Sequence, residues 1–201
     1  MKLLIATQNQ HKLEEFRRLF ATIPLIGLDQ FPHFIMPEET GETFQENALI
    51  KAQAGFDQTG MPTLADDSGL VVDALNGRPG VYSARYVEGT DKDRYLALLK
   101  EMAGQSNREA FFTTVLALVG VETSKPVSEP LKRVGHAIVT QGYVHGAIAD
   151  DAAGINGFGY DPIFRLPSGE SMAELSPEQK MRCSHRGEAA GFMAPFLRNI
   201  F

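Results

Sequence analysis

The sequence predicts an α/β protein. Short apolar runs that read as strands alternate with segments whose apolar residues recur at helical spacing. At 201 residues the chain can bury one substantial core, or fold as a two-lobed single domain. Its composition, 43% hydrophobic and 22% charged, is that of an ordinary globular chain.

Lys2 to Ala6 reads as a short buried strand, and Gln10 to Phe20 as a helix carrying Leu13, Phe16, Leu19 and Phe20 on one face. A strand that turns directly into a helix presents unpaired backbone N–H groups there, which favours anions. Thr43-Phe44-Gln45-Glu46 has the capping-box pattern and starts a second helix through Ala48, Leu49 and Ala52. Pro62 to Ala65 and Leu70 to Ala74 read as strands on either side of an acidic turn, Asp66-Asp67-Ser68-Gly69. Asn76 to Gly80 is a loop by its Gly and Pro content, and Asp91 to Met102 a helix with Tyr95, Leu96, Leu98 and Leu99 on its apolar face. Ala110 to Val121 and Val134 to Val144 form a long hairpin, with Glu122 to Pro130 as its loose loop. Gly154 to Tyr160 is too glycine-rich to be regular. Ser176-Pro177 opens a capped helix with proline at its first position, and a last helix runs from near Arg186.

A formal net charge of −6 argues against a nucleic-acid partner, which requires a dense basic face. No apolar run approaches a membrane span, and the first apolar residues are cut short by Gln8-Asn9-Gln10, too early for a signal peptide. The single cysteine, Cys183, has no intramolecular partner, so the expected location is the reducing cytoplasm.

Five clusters carry candidate chemistry. Thr7, Asn9 and Lys12 bring a hydroxyl, an amide and an ammonium to the first strand-to-helix turn, where they can hold phosphate oxygens or serve as a helix cap beside a solvated lysine. The adjacent carboxylates Asp66-Asp67 repel one another unless a cation, a proton or solvent separates them, which suggests a hard metal such as Mg²⁺. Glu38-Glu39 can complete such a site or form a solvated acidic loop. In Gly157-Phe158-Gly159-Tyr160-Asp161-Pro162, a flanked aromatic offers a stacking face and Asp161 an acceptor for a base edge, against the alternative of an aromatic plug over the core. Lys180, Ser184, His185 and Arg186 bring donors to the junction of two helices, or cap it. A thiol nucleophile at Cys183 is not favoured, and His11, His33, His136 and His145 lack metal-ligand spacing.

Taken in order, Ile5-Ala6-Thr7-Gln8-Asn9-Gln10-His11-Lys12, Glu38-Glu39-Thr40-Gly41-Glu42-Thr43-Phe44 with Glu46-Asn47-Ala48, Ala65-Asp66-Asp67-Ser68-Gly69-Leu70, Gly77-Arg78-Pro79-Gly80-Val81-Tyr82-Ser83-Ala84-Arg85, Gly157-Phe158-Gly159-Tyr160-Asp161-Pro162, Ala173-Glu174-Leu175 with Lys180, and Ser184-His185-Arg186-Gly187 resemble the Ham1, or inosine triphosphate pyrophosphatase, family over nearly the whole chain. The resemblance implies an elongated central mixed β-sheet with flanking helices, two lobes around a nucleotide-binding cleft, and a homodimer. It also implies Mg²⁺-dependent hydrolysis of non-standard purine nucleoside triphosphates (ITP, dITP, XTP) to a monophosphate and pyrophosphate. By the same resemblance Thr7, Gln8, Asn9, Gln10, His11 and Lys12 bind the triphosphate, and Glu38 and Asp67 serve the metal, with Glu39 as the alternative to Glu38 and Asp66 as a further ligand. Asp67 is then also the general base, Ser68 touches substrate, and Phe158, Gly159, Tyr160, Asp161, Lys180, His185 and Arg186 hold the nucleotide and its base. The chain departs from many relatives at Asp150-Asp151-Ala152-Ala153-Gly154, where a basic residue or proline is common. The rival readings are an inactive nucleotide sensor, which has no need of the acidic residues, and a pyrophosphatase for modified pyrimidines or standard nucleotides.

Overall fold

The computed structural model describes residues 1–122 and 127–201. Seven strands are present among them: β1 (Leu3–Ile5), β2 (Leu25–Gly27), β3 (Thr63–Val72), β4 (Glu109–Val119), β5 (Lys132–Val134), β6 (Ala137–Ile148) and β7 (Phe164–Arg165). The helices are α1 (Gln10–Leu19), α2 (Phe44–Thr59), α3 (Asp91–Glu101), α4 (Pro177–Cys183) and α5 (His185–Arg198). The sheet is mixed, ordered β2-β1-β3-β4-β6-β5 with β7 on β6. β1 runs parallel to β2 and β3, while β6 runs antiparallel to β5 and β7. The α/β class and the mixed sheet with flanking helices are as expected.

The chain divides into two compact units. The first comprises residues 1–67, 114–142 and 186–201, and the second residues 68–113 and 143–185. In the first unit, one cluster joins α1 and α5 to the sheet through Leu13, Phe16, Leu64, Leu116, Leu118, Ala189 and Met193. Another joins α2 through Ala48, Ala52, Ala65, Val115, Ala117 and Val119. Consecutive residues of β4 thus alternate between the two clusters, as a strand with both faces buried must. The small residues of α2 let it lie close to the sheet: a Cβ on Gly55 would stand 2.4 Å from Thr63 Cγ2. The second unit has its own core, built on Leu70, Val72, Leu98, Phe112, Ile163, Phe164 and Met172.

Two expectations are corrected. Asp66-Asp67-Ser68-Gly69 is not a turn between two strands but the middle of one ten-residue strand, β3. Buried apolar neighbours on both faces, and hydrogen bonding to β1 and β4, outweigh the turn preference of Ser and Gly. Val134 to Val144 is likewise interrupted: β5 ends at Val134, Gly135 takes a φ of 60°, and β6 begins at Ala137. β4 and β6 are neighbours in the sheet, and residues 123–126 of their connection lie outside the described residues.

The capping box of α2 is formed as predicted: Thr43 Oγ1 accepts from the Glu46 N–H and the Glu46 carboxylate from the Thr43 N–H. Thr43→Ala should remove about 1 kcal/mol of stability, read as a lower urea midpoint, and should quicken amide exchange at Asn47 more than in β4.

Candidate active site

Side chains on a strand alternate between its faces, so the two aspartates of β3 part company. Leu64 belongs to the α1/α5 cluster and Ala65 to the α2 cluster, and the next two residues keep that parity. Asp66 Oδ2 meets Lys12 Nζ of α1 at 2.8 Å and Arg186 Nη2 of α5 at 3.1 Å. Asp67 Oδ1 meets Lys51 Nζ of α2 at 2.8 Å, with Asn47 Nδ2 3.5 Å from its other oxygen. Lys51 Nζ also donates to Glu39 Oε1 at 2.6 Å, while Glu38 is exposed. Arg186 is completed by Glu15 Oε2 at 2.5 Å.

At the β1–α1 turn the capping role is realised. The Asn9 N–H donates to Thr7 Oγ1, and the Lys12 N–H to Asn9 Oδ1, each at 3.2 Å. Gln8, Gln10 and His11 are exposed. A pocket of about 280 Å³ lies against the turn, lined by Thr7, Gln8, Gln10, Asp29, Phe31 and Phe34 among others.

The two carboxylates respond oppositely to these surroundings. Burial would raise Asp66, but Lys12, Arg186 and Lys51 together hold it well below the ordinary carboxylate range. For Asp67 burial wins over the pull of Lys51, and its pKa is raised. Burial also lowers Lys12 against the attraction of Asp66, whereas the carboxylates around Lys51 overcome its burial and raise it. An aspartate with a raised pKa is the stronger proton acceptor of the two once ionised.

In the second unit, Ser68 is half-buried and Phe158, Gly159, Tyr160 and Asp161 form one knot. Asp161 Oδ2 accepts from the Phe158 N–H at 2.9 Å and from Lys180 Nζ at 2.7 Å, and Lys180 Nζ stands 4.6 Å from the centre of the Phe158 ring. Gly157 has a φ of 75°, and a Cβ there would come within 2.0 Å of Asp161 Oδ2. Tyr160 donates its hydroxyl to the Ser83 carbonyl at 2.9 Å, and burial raises its phenol. The His185 ring stacks on Phe112 at 5.0 Å. Lys180 and His185 belong to the second unit and Arg186 to the first.

Lys51, Glu15 and Phe112 were not singled out from sequence, and Asn47 stood only within a motif, with no role given to it. A lysine in mid-helix ordinarily points to solvent; here its 5% exposure is dictated by the close seating of α2. The available signal was that Asn47 and Lys51 lie four apart, on one face with Ala48 and Ala52.

Magnesium asks for hard oxygen donors: one or two carboxylates, with substrate oxygens and water supplying the rest. Asp67 and Glu39 fit that demand, since both carboxylates converge on one ammonium and so already share a place for positive charge. Among the described residues no three His, Cys, Asp or Glu side chains gather into a metal-binding group.

The Ham1 family model matches residues 3–196. A dITP/XTP pyrophosphatase of Symbiobacterium thermophilum is 44% identical over 94% of this chain and 90% of its own, and one of Coxiella burnetii is 41% identical over 100% and 98%. Among solved structures, the Staphylococcus aureus Ham1 protein superposes with a TM-score of 0.83 at 39% identity, and a Ham1 protein from Coxiella burnetii with 0.84 at 40%, each covering 99% of both chains.

Asp66 is itself buried and is the counter-ion of buried Arg186 and half-buried Lys12, so Asp66→Ala should destabilise the protein by about 3–5 kcal/mol, measured by urea unfolding at neutral pH. Because its pKa is depressed on folding, this contribution is present above the unfolded-state pKa of the carboxyl and lost as pH falls towards the folded one.

Proposed function

The chain belongs to the Ham1 family, and on that premise we propose that it is a nucleoside-triphosphate pyrophosphatase hydrolysing the non-standard purine nucleotides ITP, dITP and XTP to a monophosphate and pyrophosphate. The observation that carries the chemistry is the placement of Asp67: a buried carboxylate with a raised pKa, facing Lys51 and Asn47.

Thr7 to Lys12 and Lys51 are assigned to the triphosphate, where they offset charge that an acidic protein otherwise repels. Mg²⁺, held by Asp67 with Glu38 or Glu39, would supply further charge neutralisation at the phosphates. Asp67 accepts the proton of the attacking water as its oxygen bonds to phosphorus and the anhydride bond to the departing pyrophosphate breaks. Lys51 steadies Asp67 in its ionised form, and Asn47 limits its rotation. Asp66 keeps Lys12 and Arg186 in place rather than taking part in the proton transfer.

Phe158 to Asp161, with Ser68, are assigned to the nucleoside. Hypoxanthine and xanthine carry a 6-carbonyl that a donor such as Lys180, His185 or Arg186 matches, whereas adenine's 6-amino group would set donor against donor. Lys180 is already held by Asp161, and Arg186 by Asp66 and Glu15, so an incoming base competes with a carboxylate for each. Work as a homodimer in the cytoplasm, with neither nucleic acid nor membrane as partner, goes with this reading. It rests on the family resemblance and the net charge of −6. Among the described residues no helix is long and apolar enough to cross a membrane.

Turnover of ITP, dITP, XTP, GTP and ATP, with pyrophosphate and orthophosphate measured separately, tests the assignment. Fast release of pyrophosphate from the first three is expected; equal rates on ATP, or orthophosphate as the primary product, would contradict it. Asp67→Asn should lower kcat by at least about 100-fold. An ionised carboxylate whose pKa is raised on folding opposes stability once pH exceeds that pKa. The same variant in metal-free buffer at neutral pH should therefore keep or exceed the wild-type Tm. Near-normal turnover would remove Asp67 from the base role.

A further inference from the structure

The Phe158 segment is fastened to the rest of its unit at a residue that neither the sequence motifs nor the proposed chemistry accounts for. Asp91, the first residue of α3, accepts the Gly159 N–H on Oδ2 at 2.7 Å. Its other oxygen, Oδ1, accepts from Arg94 Nη2 at 2.7 Å, and Arg94 Nη1 donates to the Gly89 carbonyl at 2.9 Å. The carboxylate is thus clamped on both oxygens, with the glycine amide on one side and a guanidinium on the other.

A carboxylate in the first turn of a helix is favourable for the helix itself, but α3 has no need of this one. Thr90 already caps it: Thr90 Oγ1 accepts from the Asp93 N–H at 3.3 Å, and Asp93 Oδ2 accepts from the Thr90 N–H at 2.7 Å. Asp91 Oδ1 pairs with Arg94 of the same helix, and Oδ2 reaches out of the helix to Gly159. Gly159, with a φ of 63°, sits between Phe158 and Tyr160, so fixing its amide fixes the direction in which the Phe158 ring leaves the backbone. Within the segment, Asp161 and Lys180 hold the Phe158 amide and ring, and Tyr160 ties the far side to Ser83. Asp91 supplies the anchor at the residue between.

We infer that Asp91 is a positioning residue for nucleobase recognition, holding the Phe158 ring in its stacking orientation through the Gly159 amide while touching no substrate itself. The inference rests on the assignment of Phe158 to the base. A charge-assisted bond of this length is worth enough that its loss should weaken the preorganised state about tenfold.

The test compares wild type, Asp91→Ala, Asp91→Ser and Asp91→Asn by amide hydrogen exchange at Gly159 and by steady-state kinetics on ITP. Asp91→Ala should speed exchange at Gly159 and raise KM about tenfold with kcat nearly unchanged. Asp91→Ser, polar but too short to reach Gly159, should do the same even where the alanine variant folds poorly. Asp91→Asn, whose side-chain carbonyl still accepts, should recover most of both properties. Unchanged exchange at Gly159 in the serine variant would overturn the inference, as would an asparagine variant no better than alanine. Faster exchange with a wild-type KM would overturn the positioning role alone. Phe158→Ala with a wild-type KM for ITP would overturn the base assignment beneath it.

Discussion

Alternation along a single strand governs the charged half of this protein. Two adjacent aspartates in a turn would share one environment and one fate; in the middle of β3 they cannot, because consecutive side chains leave opposite faces. Asp66 goes to the face where α1 and α5 deliver Lys12 and Arg186, and Asp67 to the face where α2 delivers Lys51 and Asn47. The repulsion between neighbours is met by three cations, and a difference in proton affinity follows from the partition. The carboxylate paired with two cations is held in its ionised form, while the one where burial prevails keeps a higher affinity for a proton. Everything near them serves that split, from the Asn9 cap that starts α1 to the alanines and Gly55 that seat α2 against the sheet.

The second unit solves a different problem, that of presenting an aromatic ring on irregular backbone. Gly157 turns the chain where a side chain would collide with Asp161, and Asp161 holds both Lys180 and the amide of Phe158. Burying a carboxylate and an ammonium together costs solvation that their attraction only partly returns. The return here is orientation: the same ammonium lies against the Phe158 ring. In the proposed reading these groups take the purine, and ordering them before substrate arrives favours binding.

Much of this was legible in the sequence where the signal is local. The caps at Thr43 and Ser176, the helix from Gln10 and the irregular glycine segment all depend on residues a few positions apart, and the structure forms each of them. The α/β class followed from the alternation of such segments. What stayed hidden depends on distant partners. Ser68-Gly69 carries a strong turn preference, and only pairing within the sheet shows that it is overruled. Glu15 and Arg186 are 171 residues apart, and Lys51 reads as a surface lysine until α2 is placed on the sheet. β2 and β7, of three residues and two, are too short for any periodicity to show. Of Glu38 and Glu39, composition offers no way to choose; the fold turns Glu39 towards Lys51 and leaves Glu38 exposed.

The partition of the two aspartates is most directly tested by NMR titration of their side-chain carboxyl carbons in the metal-free protein. The account predicts that Asp67 titrates above the ordinary aspartate value and Asp66 below it. Two midpoints on the same side, or in the reverse order, would contradict it.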